Sequence, residues 1–300
     1  MTIQYLSLAA QGKNVWWRYS ISILLILFFW QIIGIIPYAI LGFVLNNDQD
    51  SATRFNLETF QLEGVEPLLR YLVINFSFIS FFVGLYIAVC FLHQRRFITL
   101  VTPNDRVRWK RTFQGFGLYF LLISVASFVQ FILYPSEVQL TFKPVQFLVF
   151  LPIALVLTSI QSITEELLVR GYLMQGVGLK TNNPLIPVMG SSLLFMLLHL
   201  GNPEVKSNFF LAVAYYLSLG IFLAFITVRD NSLELAMGVH AANNLFVVLI
   251  LNYHNSALPS PSILTASQSG LSLPSLISFI VLSVVFCFVI FKERPSKRAV

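Results

Sequence analysis

Eight runs of apolar residues, each long enough to cross a bilayer as a helix, are separated along the chain by short polar interruptions. They cover residues 19–45, 71–92, 113–134, 145–177, 184–200, 209–228, 233–251 and 273–291. A hydrocarbon core takes about 20 apolar residues per helix. Backbone facing lipid must satisfy its own hydrogen bonds, and runs this long exceed barrel strands, so the pattern predicts helices. The expected fold is all-α: a polytopic transmembrane helix bundle of about eight spans. It forms one integral membrane domain over residues 1–300. Within it, residues 145–252 form a four-helix core, 1–144 supply additional N-terminal spans, and 271–300 hold the eighth span and a basic tail. The first apolar run is longer than a signal peptide's and no small-residue cleavage site follows it, so it is expected to be retained.

Composition agrees with the pattern. The chain of 300 residues is 57% hydrophobic and 11% charged, with 29 phenylalanines; a soluble domain carries about 25% charged residues. The net charge of +6 is explained by basic loops and anionic lipid rather than nucleic acid. Cys90 and Cys287 fall in apolar spans, read as packing residues, and show no metal-binding spacing. The loop after the second span carries Arg95, Arg96, Arg106, Arg108, Lys110 and Arg111 against Asp105, and the C-terminal tail carries Lys292, Arg294, Lys297 and Arg298. The first loop is acidic, with Asp48, Asp50, Glu58, Glu63 and Glu66. The positive-inside rule then places both termini in the cytoplasm. In a bacterium the host would be the plasma (inner) membrane. The last outer loop, 252–270, is polar and uncharged apart from His254 when protonated.

Few ionisable groups lie deep in the spans: Glu165, Glu166, Arg170, His199 and His240. At a helix centre such groups cost roughly 2.5–3.5 kcal/mol each on insertion scales, and they are usually functional. Residues four apart share a helix face, so Glu166 and Arg170 are expected to pair. Glu165 then points elsewhere, free for proton chemistry. His240 and Asn244 share the same spacing, as do Phe195 and His199. Glu234, three residues after Asn231, reads as part of a capping box. If the fourth and fifth helices form a hairpin about Asn182, Glu165 and His199 lie about 17 residues either side of it, or about 25 Å of helix path each. His240 lies roughly 13 Å of path from its own cytoplasmic turn, a looser match that Asn244 narrows. The three helices would bring these groups to one cavity opening to the cytoplasmic side.

The blocks Glu165-Glu166-x-x-x-Arg170, Phe195-x-x-x-His199 and His240-x-x-x-Asn244, in this order and each in its own apolar helix, resemble the motifs of the CAAX prenyl protease and bacteriocin-processing family of intramembrane endopeptidases. The resemblance spans residues 153–251. It implies a glutamate protease that needs no cofactor. Glu165 and His199 would activate water, His240 and Asn244 would hold the oxyanion, and Glu166 and Arg170 would shape the site. The partners would be membrane lipid and a peptide or protein substrate, prenylated or bacteriocin-related, with no nucleic acid. Zinc held by Glu165, His199 and His240 is the chemical alternative. A transporter or an immunity-type partner protein is the alternative in function, although inverted repeats of the transporter kind are not evident.

Overall fold

The computed structural model describes residues 3–47, 53–56, 61–253, 256–267 and 271–292. Asp48, Asp50, Glu58, His254, Arg294, Lys297 and Arg298, which carry part of the charge reading, lie outside these residues. Among those described, every apolar run forms a helix: α1 (Trp16–Leu45), α2 (Pro67–Leu92), α3 (Trp109–Leu133), α4 (Pro144–Gly178), α5 (Leu185–His199), α6 (Phe209–Asp230), α7 (Glu234–Leu249) and α8 (Leu273–Phe291). The starts follow local chemistry. Pro67 and Pro144 occupy first-turn positions, where a missing N–H costs nothing. The Glu66 carboxylate accepts from the Leu69 N–H, the Asn208 side chain caps α6, and Ser272 and Ser275 cap α8 reciprocally. Large side chains such as Leu24, Phe43, Phe128, Val156 and Phe288 are exposed around the outside, as a lipid-facing surface requires.

Six of the helices are long and apolar enough to cross a membrane. The other two are shorter than expected: α5 has 15 residues and α7 has 16. At 1.5 Å per residue they reach about 22–24 Å, less than a hydrocarbon core of about 30 Å. α7 is buried within the bundle against α3 and α4, whereas α5 packs one face mainly against α6 and exposes the other, with Leu185, Leu193 and Leu197 outermost. The α3–α7 crossing depends on glycine: a Cβ on Gly238 would sit 2.0 Å from the Thr112 carbonyl oxygen, and one on Gly115 would sit 2.6 Å from that of Leu235. Small residues let helix backbones approach closely where lipid supplies no hydrophobic drive.

The basic loop is more than a topology signal. Arg95 is buried and bonds Thr99 and Gln175. Arg108 reaches Asp230 (3.1 Å) and Glu234 (3.0 Å), and Arg111 reaches Asp230 (2.8 Å). The Glu234 carboxylate beside it pushes the Arg108 guanidinium further toward the charged form. Glu234 therefore serves an ion-pair cluster and not a capping box; Leu233 holds the N-cap of α7. Asn231 instead ends α6 in the left-handed conformation, with φ 56°, and its side-chain oxygen accepts from the Tyr5 N–H. The turn from Asp230 to Glu234 is thus buried beneath the segment that follows α2.

At the opposite end of the bundle, β3 (Val138–Leu140), β4 (Leu251–Tyr253) and β5 (Leu264–Ala266) form a small sheet. β5 is central, antiparallel to β3 and parallel to β4. The sheet ties the α3–α4 connection to the α7–α8 connection. A separate antiparallel pair, β1 (Arg54–Asn56) and β2 (Gln61–Glu63), lies in the α1–α2 connection, where Arg54 pairs with Glu63 at 2.6 Å.

Candidate active site

Glu165 and Glu166 sit on α4 where its regular winding gives way to a π-helical stretch, Leu167–Met174. Wide turns of this kind inside α-helices frequently mark functional sites. Glu166 and Arg170 are completely buried and pair at 2.6 Å, despite the change of winding between them. The same Glu166 Oε1 lies 2.8 Å from His240 Nδ1 on α7. Arg170 also donates to the Gly220 carbonyl on α6 (3.1 Å) and stacks its guanidinium 4.5 Å from the centre of the Phe195 ring on α5. One ion pair therefore connects four helices.

Glu165 points the other way, as its position beside Glu166 requires. Its Oε2 lies 3.7 Å from His199 Nε2 and 3.7 Å from His240 Nε2. It accepts no hydrogen bond at that oxygen, while Oε1 accepts from Gln161 one turn earlier, at 3.4 Å. His199 Nδ1 lies 2.7 Å from the Phe195 carbonyl oxygen. A carbonyl only accepts, so Nδ1 carries a proton, and when the ring is neutral Nε2 faces Glu165 as an acceptor. Phe195 stands between the three blocks, with ring centres 4.2 Å from that of His199 and 5.7 Å from that of His240. Asn244 lines the same cavity, and its side-chain oxygen accepts from Asn243. Glu165, Glu166, Arg170, His199 and His240 thus lie within contact of one another, and Asn244 lines the same cavity. Among the described residues no group of three or more His, Cys, Asp or Glu side chains is arranged to hold a metal ion.

The cavity has a volume of about 450 Å³. It runs from Glu165, His199 and His240 to Glu137, Ser256 and Ser272, at the end that carries the β3–β5–β4 sheet. No residue of the basic segment 93–111 or of the buried turn 229–234 lines it. The expectation of a cavity opening toward the cytoplasmic loops is therefore corrected. The arginine–carboxylate cluster and the tyrosine-anchored N-terminal turn, in which Tyr5 donates to the Leu100 carbonyl at 2.6 Å, fill that side.

Sequence reasoning missed three polar groups near the site. Gln161 had a readable signal, being a polar residue one turn before Glu165 in an apolar run. Tyr216 on α6 stacks on His199, with centres 4.6 Å apart, and its hydroxyl donates to Glu204 at 2.6 Å. Glu204 lies in a stretch that reads as an ordinary polar loop, yet it is buried.

Fold and site together define a class: a polytopic integral membrane protein with a carboxylate–histidine cluster inside its bundle. Residues 145–246 match the family described as Type II CAAX prenyl endopeptidase Rce1-like. Over 264 residues the chain is 32% identical to "Uncharacterized protein YyaK" of Bacillus subtilis (strain 168), an overlap of 87% of this chain and 86% of that relative. No solved structure matches. The chain belongs to the CAAX prenyl protease and bacteriocin-processing family, a family of membrane endopeptidases.

Proposed function

We propose that this protein hydrolyses a peptide bond of a membrane-associated substrate, using water activated by Glu165 and His199. The observation that carries this reading is the facing of Glu165 Oε2 with His199 Nε2 and His240 Nε2, each at 3.7 Å. These separations are too long for direct hydrogen bonds, yet one water at about 2.8 Å from each atom fits off the line between them. Such a water donates one hydrogen to Glu165 and the other to His199 Nε2. Its oxygen adds to the substrate carbonyl carbon while Glu165 takes the proton. His240 Nε2 and the Asn244 amide meet the oxyanion. As the intermediate collapses the C–N bond breaks, and Glu165 returns its proton to the leaving amine.

The oxyanion role requires His240 with both nitrogens protonated, Nδ1–H on Glu166 and Nε2–H on the oxyanion. Glu166 supplies the counter-charge for that ring, and Arg170 holds Glu166 in place. Glu165, Glu166, Arg170 and His240 then sum to zero charge, which suits a site inside a bilayer. General-base help is typically worth roughly 10²–10⁴-fold in rate, and an oxyanion donor about 10²–10³-fold.

The protein sits, on this reading, in the plasma membrane of a bacterial cell. The substrate is a peptide or protein segment entering from the lipid or from the sheet-bearing end of the bundle. Comparing new peptide termini in membranes holding wild-type or Glu165→Ala protein tests the assignment. Termini that appear only with the wild type are expected; identical sets, with both proteins folded and equally abundant, overturn it. The chemistry is written without metal. Activity is expected to survive exhaustive chelation, and its loss with restoration by zinc would move Glu165, His199 and His240 into a ligand role.

A further inference from the structure

The cavity that holds Glu165 carries another carboxylate, Glu204, that is buried and has no cation beside it among the described residues. Glu204 lies in the loop after α5, in the 3-10 turn Pro203–Lys206, and is 3% exposed. Its Oε1 accepts from the Tyr216 hydroxyl (2.6 Å), the Tyr253 hydroxyl (3.3 Å) and the Asn202 amide (3.4 Å). Three donors crowd one oxygen, while Oε2 is buried and accepts nothing. Among the described residues no ion pair includes Glu204, although every one of Asp230, Glu234 and Glu166 is matched by an arginine. This arrangement differs from the structural carboxylates of the bundle, and leaving a buried charge without its counter-charge is costly.

The surroundings select the sign of the missing partner. Glu137, Glu165 and Glu204 line the cavity, together with His199 and His240, and among the described residues no lysine or arginine does. Aromatic side chains, among them Trp30, Tyr119, Tyr215 and Phe279, also line the cavity. A carboxylate held by Tyr216 and Tyr253 in a cavity with aromatic lining fits a long apolar stem with a cationic head. Position is fixed too, because Tyr216 packs its ring on His199 and places its hydroxyl on Glu204. Glu204 thus stands one tyrosine's length beyond the reacting groups. An extended peptide advances roughly 3.3 Å per residue, so that length spans about two to three residues.

We propose that Glu204, with Tyr216 and Tyr253, is a cation subsite that binds the ammonium or guanidinium group of a substrate residue two to three positions from the bond that is cut. The substrate class is then a basic peptide segment rather than a purely apolar one. The subsite extends the peptidase reading above and rests on it for its placement relative to the cut.

The test uses the full-length protein in lipid nanodiscs and internally quenched decapeptides that differ at one position, which holds lysine, acetyl-lysine or norleucine. Each peptide is made with a free and with an acetylated N-terminus, which separates a side-chain cation from the terminal amine. Scanning that position, wild-type protein is expected to cut the lysine peptide with a kcat/KM about ten-fold or more above its acetyl-lysine counterpart at one or two neighbouring positions. In Glu204→Gln the ratio is expected to fall to near one. A ratio taken within one preparation cancels the folded fraction, and the wild-type ratio decides even where the variant is poorly made. A wild-type ratio near one at every position overturns the subsite, as does a ratio that Glu204→Gln leaves unchanged. If no peptide is cut, the peptidase reading falls, and the subsite is judged by equilibrium binding of the same peptides to the wild-type protein. About ten-fold tighter binding of the lysine peptide upholds it, and equal binding overturns it.

Discussion

Replacing Glu166 and Glu165 separately by glutamine distinguishes the two jobs given to adjacent carboxylates. Glu166 and Arg170 are fully buried and 2.6 Å apart, and the same carboxylate oxygen meets His240 at 2.8 Å. Glu166→Gln preserves size and an acceptor oxygen but leaves the Arg170 charge facing only neutral groups, the new amide, the Gly220 carbonyl and the Phe195 ring face. Removing one partner of a buried pair costs about 3–5 kcal/mol. His240 also loses the counter-charge that its oxyanion role needs, so activity is expected to fall about 10²–10³-fold. Glu165→Gln removes a charge whose histidine neighbours stand at 3.7 Å, beyond direct hydrogen bonding. It is expected to cost less than about 1 kcal/mol of stability, and roughly 10²–10⁴-fold in rate. Stability is read by denaturant titration in mixed micelles, followed through the protein's four tryptophans. Activity is read on a peptide that the membrane comparison identifies. The double variant Glu166→Gln/Arg170→Met, in which neither charge remains, is expected to regain most of the stability and none of the activity. A stable, fully active Glu166→Gln, or a Glu165→Gln that unfolds as readily as expected for its neighbour, would refute the division.

Two further expectations concern the scaffold. Gly238→Ala puts a Cβ about 2.0 Å from the Thr112 carbonyl oxygen and must push α7 from α3, whereas Gly190→Ala on α5 meets nothing within 4 Å. The first is expected to lose about 1–3 kcal/mol or more, the second to be neutral or slightly stabilising, by denaturant titration; equal effects would contradict the crossing. His93 is buried, with Nδ1 donating to the Lys13 carbonyl and Nε2 accepting from the Tyr172 hydroxyl, both at 2.8 Å. Burial holds its pKa below the ordinary 6.5, so folding selects the neutral ring and the unfolded chain binds the extra proton. Its contribution is complete above pH 6.5 and is lost as pH falls from there toward the folded value. The thermal midpoint between pH 7.5 and 5.5 is expected to drop more in wild type than in His93→Gln, and equal drops would dismiss the linkage.

The parts of the fold that were legible in the sequence are those set by one helix at a time. Hydropathy located all eight helices to within a few residues, and the i, i+4 rule paired Glu166 with Arg170 and turned Glu165 away. What depends on several segments together was not legible. The depth of His240 was counted from a turn assumed to lie at the bundle surface. That turn is buried, roofed by Arg108 and Arg111, so α7 begins deeper and His240 comes level with Glu165. The direction of the cavity was misread for the same reason, because basic residues that signal topology also close the bundle on their own side.

The same cause explains why Glu204 escaped notice, and it links the scaffold to the site. A helix long enough to cross the bilayer keeps its polar loop residues at the rim. α5 stops at His199, about 22 Å from its start, and the loop that follows turns Glu204 and Val205 inward. Shortening the helix places a histidine at a helix end, where its Nδ1 closes on the Phe195 carbonyl and its Nε2 is free to face Glu165. It also carries Asn202 and Glu204 into the cavity, where Tyr216 and Tyr253 meet them. A span of full length would give α5 more lipid contact but would leave the loop carboxylate in the headgroup region, away from any substrate. The short helix is therefore the structural condition for bringing Glu204, from the loop after a short helix, into the cavity that holds Glu165 on a long one.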